Sequence, residues 1–364
     1  MMRRARTVLL VGFMLCGCAT LAEPGGGEQG LPGAAAGPFR PIRPEELGNS
    51  RAAPYALRDE DDLPRDVSVL DADGDPATLG VYAFAARTVV ESEDGAGPAL
   101  PPNEIVRFGA LDARSFDRSA LPVLRPELEW EGGTVGAPSA LRVGAEIWLY
   151  YAAAGGIGLA TSDDGLHFVR RAAPVLAAIE THAGVPRSPA VVQLWDGTFR
   201  MFYELRVSDD EAAIGEAASG DGVSWKPEGA GPVLSARKAQ GAGGGAGAGA
   251  YDAQSVAAPF AVLAQSALGR PILWLYYAAT DAEGRRTIAL AGRYGEDGPF
   301  GRALSPVFGM DGRLGPTEPC VLRYPGFALL FATERAGKSE AQNYPAVAAG
   351  VAPATVTLPP PEPP

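Results

Sequence analysis

A unit of four short segments recurs along the chain, and this repetition limits the possible folds more than any other feature of the sequence. Each unit opens with a short apolar run and continues with a run rich in aromatic residues. The aromatic runs are LGVYAFAA (79–86), EIWLYYAA (146–153), TFRMFYEL (198–205), ILWLYYAA (272–279) and FALLFATE (327–334). Runs of this length and composition, bounded by turn residues, predict β-strands.

Two further segments complete each unit. A third run follows, such as IGLATS (157–162) or IGEAAS (214–219), and then an acidic or glycine turn leads through an aromatic residue toward a closing PVL or PVF. One such unit cannot bury both of its faces until neighbours stack on it, so the pattern is typical of radial propellers. We therefore predict an all-β fold, a single five-bladed β-propeller of four-stranded antiparallel blades over residues 62–352. The alternative, a pair of β-sandwich domains, would not repeat one order of strand types.

Charge and cysteine content exclude several classes of function. The 364 residues are 46% hydrophobic and 20% charged, as in a globular domain. The net charge of -12, with no Lys/Arg cluster beyond the N-terminus, argues against nucleic acid as a partner. Cys320 is the only cysteine after residue 18, and the chain has two histidines. We therefore expect no disulfide framework, no metal site and no cofactor.

The N-terminus predicts export and lipid attachment. MMRRAR is basic, and TVLLVGFML is apolar but too short to span a bilayer, as in secretory signals. The following LCGC resembles a bacterial lipobox, which implies diacylation of Cys18. Ordinary signal cleavage beside a stray Cys-Gly-Cys is the alternative. Each buried methylene of a lipid chain contributes about 0.8 kcal/mol, so several chains would hold the protein on a membrane.

These motifs divide the chain outside the propeller. Residues 1–17 are predicted to be a lipoprotein signal peptide, 18–61 the lipidated cysteine and a flexible tether, and 353–364 a Pro-rich tail. The lipobox implies a lipid-anchored protein of the bacterial cell envelope. Ala19, after the cysteine, resembles the sorting pattern for the outer membrane.

The repeated motifs also resemble those of a known group of enzymes. MFYE and LYYA, the hairpins IGLATSDDGLHF and IGEAASGDGVSW, and the PVL closers are similar to the five-bladed propeller clan of glycoside hydrolase families 32, 43, 62 and 68 and the mannoside phosphorylases. The resemblance covers nearly the whole predicted domain. It implies a sugar site in a funnel where the innermost strands begin, with carboxylates at those strand starts. A glycosidase needs two carboxyl groups, about 5–5.5 Å apart for retention or about 6.5–9.5 Å apart for inversion.

The resemblance assigns candidate residues to the first and third units. Asp66, in PRDVSV, matches the position of the family's first carboxylate. Ser188, in VPRSPAVV, stands where the invertase-like families have an aspartate. Arg187 beside it is suited to bidentate contact with a carboxylate or a sugar hydroxyl.

The fourth and fifth units depart from the family pattern. The glutamate that serves as general acid is absent from YDAQSVAAPFAV, which leaves Asp252 and Gln254 as the polar residues there. Glu318 stands in the local sequence pattern of that acid, but in the fifth unit instead of the fourth. An ordinary carboxylate at a strand start, bonded to loop amides, would give the same pattern. We therefore take Asp66, Asp252 and Glu318 as the candidate catalytic set.

Arg187, Ser188, Gln254 and Trp195 form the candidate substrate-binding set, because the Trp195 ring, in the hairpin QLWDGTF, is expected to be exposed. Three functions are consistent with these residues. The first is a membrane-anchored propeller that binds a poly- or oligosaccharide and has degenerate catalytic residues. The second is an active glycosidase or transglycosylase with a rearranged carboxylate pair, and the third is a scaffold for a protein partner in the envelope.

Overall fold

The fold was examined in a computed structural model. It describes residues 36–42, 64–74, 80–89, 102–111, 116–117, 120–178, 184–208, 210–238, 250–265, 271–295, 297–309, 315–324, 327–336 and 344–352. Cys18 and the predicted signal peptide lie outside these residues, as do the whole predicted tail and most of the predicted tether.

Within this part of the chain the strands form five antiparallel sheets, numbered here in chain order. The first contains β2 (Arg65–Asp71), β3 (Val81–Arg87), β4 (Glu104–Ala110) and β5 (Leu121–Leu124). The second contains β6 (Gly136–Val143), β7 (Glu146–Ala153), β8 (Gly156–Ser162) and two short outer pieces, β9 (Val169–Arg170) and β10 (Leu176–Ala177). The third contains β11 (Arg187–Gln193), β12 (Phe199–Arg206), β13 (Ala212–Ser219) and β14 (Lys226–Pro227).

The last two sheets follow the same order. The fourth contains β15 (Ser255–Gln265), β16 (Pro271–Thr280), β17 (Arg286–Tyr294) and β18 (Gly301–Arg302). The fifth contains β19 (Pro316–Tyr324), β20 (Phe327–Ala336) and β21 (Tyr344–Ala352), with β1 (Arg40–Pro41) on its outer side. The innermost strands β2, β6, β11, β15 and β19 contact one another in this order, and β19 contacts β2. The ring is therefore closed, and the predicted all-β propeller is confirmed.

The apolar core lies between neighbouring sheets. Successive residues of a strand point to opposite faces, so a strand that is covered on both sides carries consecutive aromatic residues. In β7, Tyr150 packs with the third sheet and Tyr151 packs with the first, and both side chains are fully buried. In β16, Tyr276 and Tyr277 divide in the same way between the fifth and third sheets. This is why the LYYA pattern recurs.

The acidic turns of the second and third sheets repeat one set of hydrogen bonds. Asp164 Oδ1 accepts the backbone N–H groups of Leu166 and His167 at 2.8 and 2.9 Å. Asp221 Oδ1 accepts those of Val223 and Ser224 at 2.8 and 2.7 Å. Each turn also needs a glycine with positive φ, at Gly165 and Gly222, both at 70°. The shared sequence pattern of SDDGLHF and SGDGVSW therefore encodes a turn.

A segment before the first sheet completes the fifth one. β1 pairs antiparallel with β21, with Arg40 opposite Val351. Phe39 is buried and packs on Tyr276 with ring centroids 6.2 Å apart, and its N–H donates to the carbonyl of Val307 at 2.7 Å. Residues 36–42 thus belong to the propeller, whereas the sequence placed them in the tether. The segment is too short, and too rich in proline, to show strand periodicity.

Among the described residues, no helix has the length and apolar character that crossing a membrane requires.

Candidate functional site

A left-handed backbone residue occurs at the same place in the innermost strand of every sheet. These residues are Asp66, Ala137, Ser188, Ala258 and Glu318, with φ between 43 and 55°. In each strand the pairing with the second strand skips two residues at this point, which is a β-bulge. A proline follows four of the five, and it is tolerated because the bulge needs no ladder N–H there. The repeated proline of the sequence therefore marks a bulge.

The bulges surround the channel at the end where the innermost strands begin. Asp66, Ser188 and Glu318 line one cavity there together with the neighbouring small residues and prolines. The cavity has a volume of about 30 Å³. This is room for about two water molecules, so any larger ligand would have to lie at the mouth, above the carboxylates. The structure thus brings together three of the residues that the sequence selected.

Asp66 and Glu318 are in direct contact across the closure between the fifth sheet and the first. Glu318 Oε2 accepts the backbone N–H of Asp66 at 3.1 Å, and the hydroxyl of Thr333 accepts the same N–H at 3.1 Å. Asp66 Oδ2 in turn accepts the N–H of Ala137 in the second sheet at 3.3 Å. Each acid therefore joins its own sheet to the next one.

The contact changes the acidity of Asp66. Burial in the channel raises the pKa of the Asp66 carboxyl well above its usual value, and the adjacent charge of Glu318 and a hydrogen bond between the two side chains raise it further. The Asp66 and Glu318 side chains therefore lie side by side at this end of the channel.

Glu204 is a third carboxylate at this end of the ring, and the sequence did not select it. It lies on β12, opposite Arg187 on β11. Its Oε2 accepts the N–H of Ala258 in the fourth sheet at 3.1 Å. Burial raises the pKa of Glu204, with a smaller contribution from the negative charge of Glu318, and Arg187 opposes the rise. Glu318 and Glu204 are therefore near enough to interact electrostatically.

A signal for Glu204 is present in the repeat. The structurally equivalent residues of the other second strands are Ala86, Ala152, Ala278 and Thr333. When the second strands are aligned by their pairing, this position holds a small residue in the other four sheets and a glutamate in the third. Glu204 lies on a second strand, whereas the family resemblance places the carboxylates at the starts of the innermost strands. Arg187 itself is exposed at the start of β11, where its guanidinium is open to a ligand.

Asp252 is not part of the channel lining. It is fully buried, and its Oδ1 accepts from Arg237 Nε at 2.5 Å. Its Oδ2 accepts from Arg302 Nη1 at 2.6 Å and from the Tyr277 hydroxyl at 3.1 Å. A buried carboxyl group with this many donors is held firmly in one position. The structure therefore separates Asp252 from Asp66 and Glu318.

The second sheet contains the same arrangement around a different acid. Glu131 lies six residues before Ala137, as Asp252 lies six before Ala258. Glu131 Oε1 accepts from the Tyr151 hydroxyl at 2.7 Å, and Oε2 accepts from Arg170 Nη1 at 3.1 Å. A tyrosine, an acid and an arginine thus recur in equivalent places, and this recurrence is typical of a structural contact.

The remaining predicted residues lie elsewhere. Gln254 precedes β15, where its N–H donates to the carbonyl of Thr280 at 2.9 Å, and it is not among the cavity-lining residues. Trp195 lies in the turn after β11, at the opposite end of that strand from Ser188, and is 55% exposed. Its predicted exposure is confirmed, but it cannot reach the channel mouth. Lipidation of Cys18 stays a prediction.

No group of three or more His, Cys, Asp or Glu side chains suited to a metal ion occurs within the described part of the chain.

Comparison with known proteins identifies the fold. No protein-family model matches the chain, and no curated protein matches its sequence. Solved structures do match. A thermostable family-43 glycoside hydrolase is 14% identical with a TM-score of 0.57, and the alignment covers 85% of this chain and 98% of that one.

Two further structures give the same result. A family-43 β-xylosidase/α-arabinofuranosidase from a compost microbial metagenome, in complex with xylotriose, is 16% identical with a TM-score of 0.55 and coverage of 85% and 98%. A sucrose-6-phosphate hydrolase from Lactobacillus gasseri is 13% identical with a TM-score of 0.56, over 81% of this chain and 59% of that one. The structural neighbours are glycosidase-type propellers, and identities this low establish a shared fold.

Proposed function

We propose that the protein is a glycan-interacting propeller of glycoside-hydrolase type, which binds a poly- or oligosaccharide at the channel mouth and lacks the standard catalytic residues of that clan. One observation carries the proposal. Of the five equivalent positions around the channel, Ala137, Ser188 and Ala258 carry no acid, and the two that do, Asp66 and Glu318, each accept a backbone N–H from the next sheet.

Chemistry supports binding over ordinary hydrolysis. Hydrolysis needs an acid on one side of the glycosidic bond and a second carboxylate at least about 5 Å from it. Asp66 and Glu318 lie side by side, with Glu318 Oε2 on the Asp66 backbone N–H, and the cavity that they line has a volume of about 30 Å³, so a sugar ring does not fit between them. Ser188 cannot supply the negative charge that the clan's aspartate contributes at that position.

The mouth has the groups that a sugar hydroxyl requires. Hydroxyls both donate and accept, and carboxylates accept while guanidinium groups donate. Glu204 and Glu318 provide acceptors, and Arg187 provides donors at the exposed rim. The solved structures of similar fold include one in complex with xylotriose, which supports a carbohydrate as the ligand class.

A second candidate function is catalysis by a rearranged pair. The raised pKa of Asp66 keeps its carboxyl protonated to a higher pH than that of an ordinary aspartate, which is the direction that a general acid requires. Glu204 would then act as the base or nucleophile from the neighbouring part of the ring. This function needs a carboxyl pair that admits a substrate between its members.

Binding and hydrolysis assays separate the two functions. Wild type, D66N, E318Q and E204Q are assayed for binding to neutral oligosaccharides and for hydrolysis of aryl furanosides and pyranosides. Each change is isosteric and keeps an acceptor for the backbone N–H groups, and D163N on an exposed turn is the matched control. The proposal predicts binding that weakens about tenfold in D66N or E318Q, with no hydrolysis above background. Hydrolysis that falls 10²–10⁴-fold in D66N and E204Q, as loss of a general acid or base would cause, contradicts it in favour of the second candidate.

Attachment to the cell envelope through Cys18 forms part of the same proposal, and it is supported by the sequence alone. The test is membrane fractionation and incorporation of labelled palmitate for wild type and C18A. A variant that still sediments with membranes and still carries label would contradict it.

A further inference from the structure

A second cavity lies between the third and fourth sheets, at the opposite end of the ring from the carboxylates. Its volume is about 350 Å³, and its lining includes Trp195, Asp196, Arg200, Leu273 and Arg293. Small-molecule sites commonly occupy clefts of about 300–1,000 Å³ with apolar walls and a few polar groups. This cavity therefore has the size of a binding site, unlike the narrow space beside Asp66.

The turn that carries Trp195 is rigid. The N–H of Leu194 donates to the carbonyl of Thr198 at 2.8 Å, and Asp196 Oδ1 accepts both the N–H and the hydroxyl of Thr198 at 2.8 and 2.7 Å. Trp195 is nevertheless more than half exposed, whereas the other four tryptophans are buried or half-buried. An indole on a hydrogen-bonded turn that is left open to water presents a flat apolar face to a ligand.

The polar groups of the cavity are arranged around a buried carboxylate. Glu216 accepts from both terminal nitrogens of Arg293, and Arg200 Nε lies 3.5 Å from Glu216 Oε1. Arg293 is 6% exposed, and its Nε has no hydrogen-bond partner among the described residues. At the rim, the Asp196 side chain is exposed. The cavity therefore offers guanidinium donors and a carboxylate acceptor next to an aromatic face.

The charged side chains in and beside the cavity are two arginines and two acids, so their formal charges cancel. Arg200 and Arg293 are balanced by Glu216 and Asp196. A phosphate or uronate ligand gains most from a site with net positive charge, whereas a neutral polyol needs donors and acceptors in equal supply. Aromatic stacking against one face and paired donors and acceptors at the edge suit a neutral saccharide ring.

We propose that this cavity is a second carbohydrate site, which stacks a neutral sugar ring on Trp195 and hydrogen-bonds its hydroxyls to Asp196 and Arg200. Strand β11 separates it from the channel mouth by about 20 Å, from the usual rise of about 3.3 Å per residue. The two sites lie at opposite ends of the propeller. A polysaccharide that engages both would be held by avidity, because the second contact becomes intramolecular.

Fluorescence titration of the full chain tests the site. The probes are the neutral trisaccharides xylotriose, arabinotriose and 1-kestose, with trigalacturonic acid as the anionic comparison. The expected result is a shift of tryptophan emission to shorter wavelength with at least one neutral probe, and no tighter binding of the anionic one. W195F should remove most of the shift but retain affinity, because the phenyl ring still stacks. W195A should weaken binding by about tenfold or more in calorimetry, which corresponds to about 1.4 kcal/mol.

Matched variants separate this site from the channel. V169A changes an exposed apolar residue on the second sheet and should bind as wild type. D66N and E318Q should leave the Trp195-dependent shift unchanged, which supports the second site whether or not the channel binds sugar. Loss of binding in D66N with full binding in W195A overturns the second site and leaves the proposed function standing. Absence of any shift at millimolar neutral probe, or preferential binding of trigalacturonic acid, also overturns it.

Discussion

The carboxylate of Glu318 accepts the backbone N–H of Asp66 at 3.1 Å, and this hydrogen bond joins the last sheet of the ring to the first. The Asp66 carboxylate repeats the contact one sheet further on, at the N–H of Ala137. The residues that the sequence selected for chemistry therefore also close the ring. Their substitution should affect stability as well as ligand binding, and the two effects have to be measured separately.

The first prediction concerns pH. The pKa of Asp66 is raised in the folded chain, so between about pH 3.9, the usual aspartate value, and the raised value the folded state holds more protons than the unfolded state. The free energy of unfolding should therefore decrease as pH rises through this window, by at most about 1.4 kcal/mol per pH unit for one proton. Urea denaturation from pH 4 to 8 measures the free energy of unfolding of wild type and D66N. The difference between the two free energies should change with pH by this amount.

D163N serves as the control for this series, because Asp163 lies on an exposed turn. Its stability should follow wild type at every pH. Parallel pH profiles for wild type and D66N would show that Asp66 does not hold the proton.

A second prediction concerns a layer of hydrogen bonds below the carboxylates. Ser68 Oγ accepts the N–H of Ala140 in the next sheet at 2.9 Å, and Ser139 Oγ accepts that of Val191 at 3.1 Å. Both serines are buried. S68A should lower the free energy of unfolding by about 1–3 kcal/mol, because a buried N–H loses its acceptor. Urea denaturation monitored by fluorescence gives the value.

The fifth sheet supplies an internal control for that layer. Cys320 Sγ accepts the N–H of Val69 at 3.2 Å, in the place that serine occupies in the first two sheets. C320S should therefore cost less stability than C320A. The reverse order would mean that the thiol contributes through apolar packing and that the hydrogen bond is unimportant.

The sequence predicts the ring and part of the site because both follow from the repeat. Strands of one type begin at one end of a propeller, so residues at their starts meet even when they are far apart in the chain. Asp66, Ser188 and Glu318 come together for this reason. The repeat also gives the turns, because each Asp-Gly pair satisfies the same backbone donors.

The remaining features depend on facts that a single strand does not display. Glu204 lies at this end of the ring on a second strand, opposite Arg187 in a pairing register that only the folded sheet defines. Asp252 was selected by its distance from the strand, and its burial depends on Arg237 and Arg302, which come from other elements. Phe39 and its neighbours join the fifth sheet through a contact with the far end of the chain.

A third prediction tests the structural role of Asp252. D252N leaves Arg237 and Arg302 without their carboxylate, and removing one partner of a buried ion pair typically costs about 3–5 kcal/mol. Both arginine side chains keep some contact with water, so we expect the lower part of that range. E131Q, at the equivalent position of the second sheet, should lose stability in the same way. Denaturation and glycan binding per folded molecule are compared for the two variants. If D252N lost binding or activity at unchanged stability, Asp252 would have a functional role and not the structural one.

A fourth prediction concerns the segment that completes the fifth sheet. Phe39 is buried against Tyr276, and the Tyr276 hydroxyl donates to the carbonyl of Ala36 at 3.1 Å. F39A should lower the free energy of unfolding by about 3–5 kcal/mol, the usual cost of replacing a buried phenylalanine with alanine. Removal of residues 1–42 should destabilise the fold at least as much, whereas removal of residues 1–33 should not, because the described contacts of this segment begin at Ala36. Equal thermal midpoints for the two truncated chains would mean that β1 is not needed to hold the ring closed.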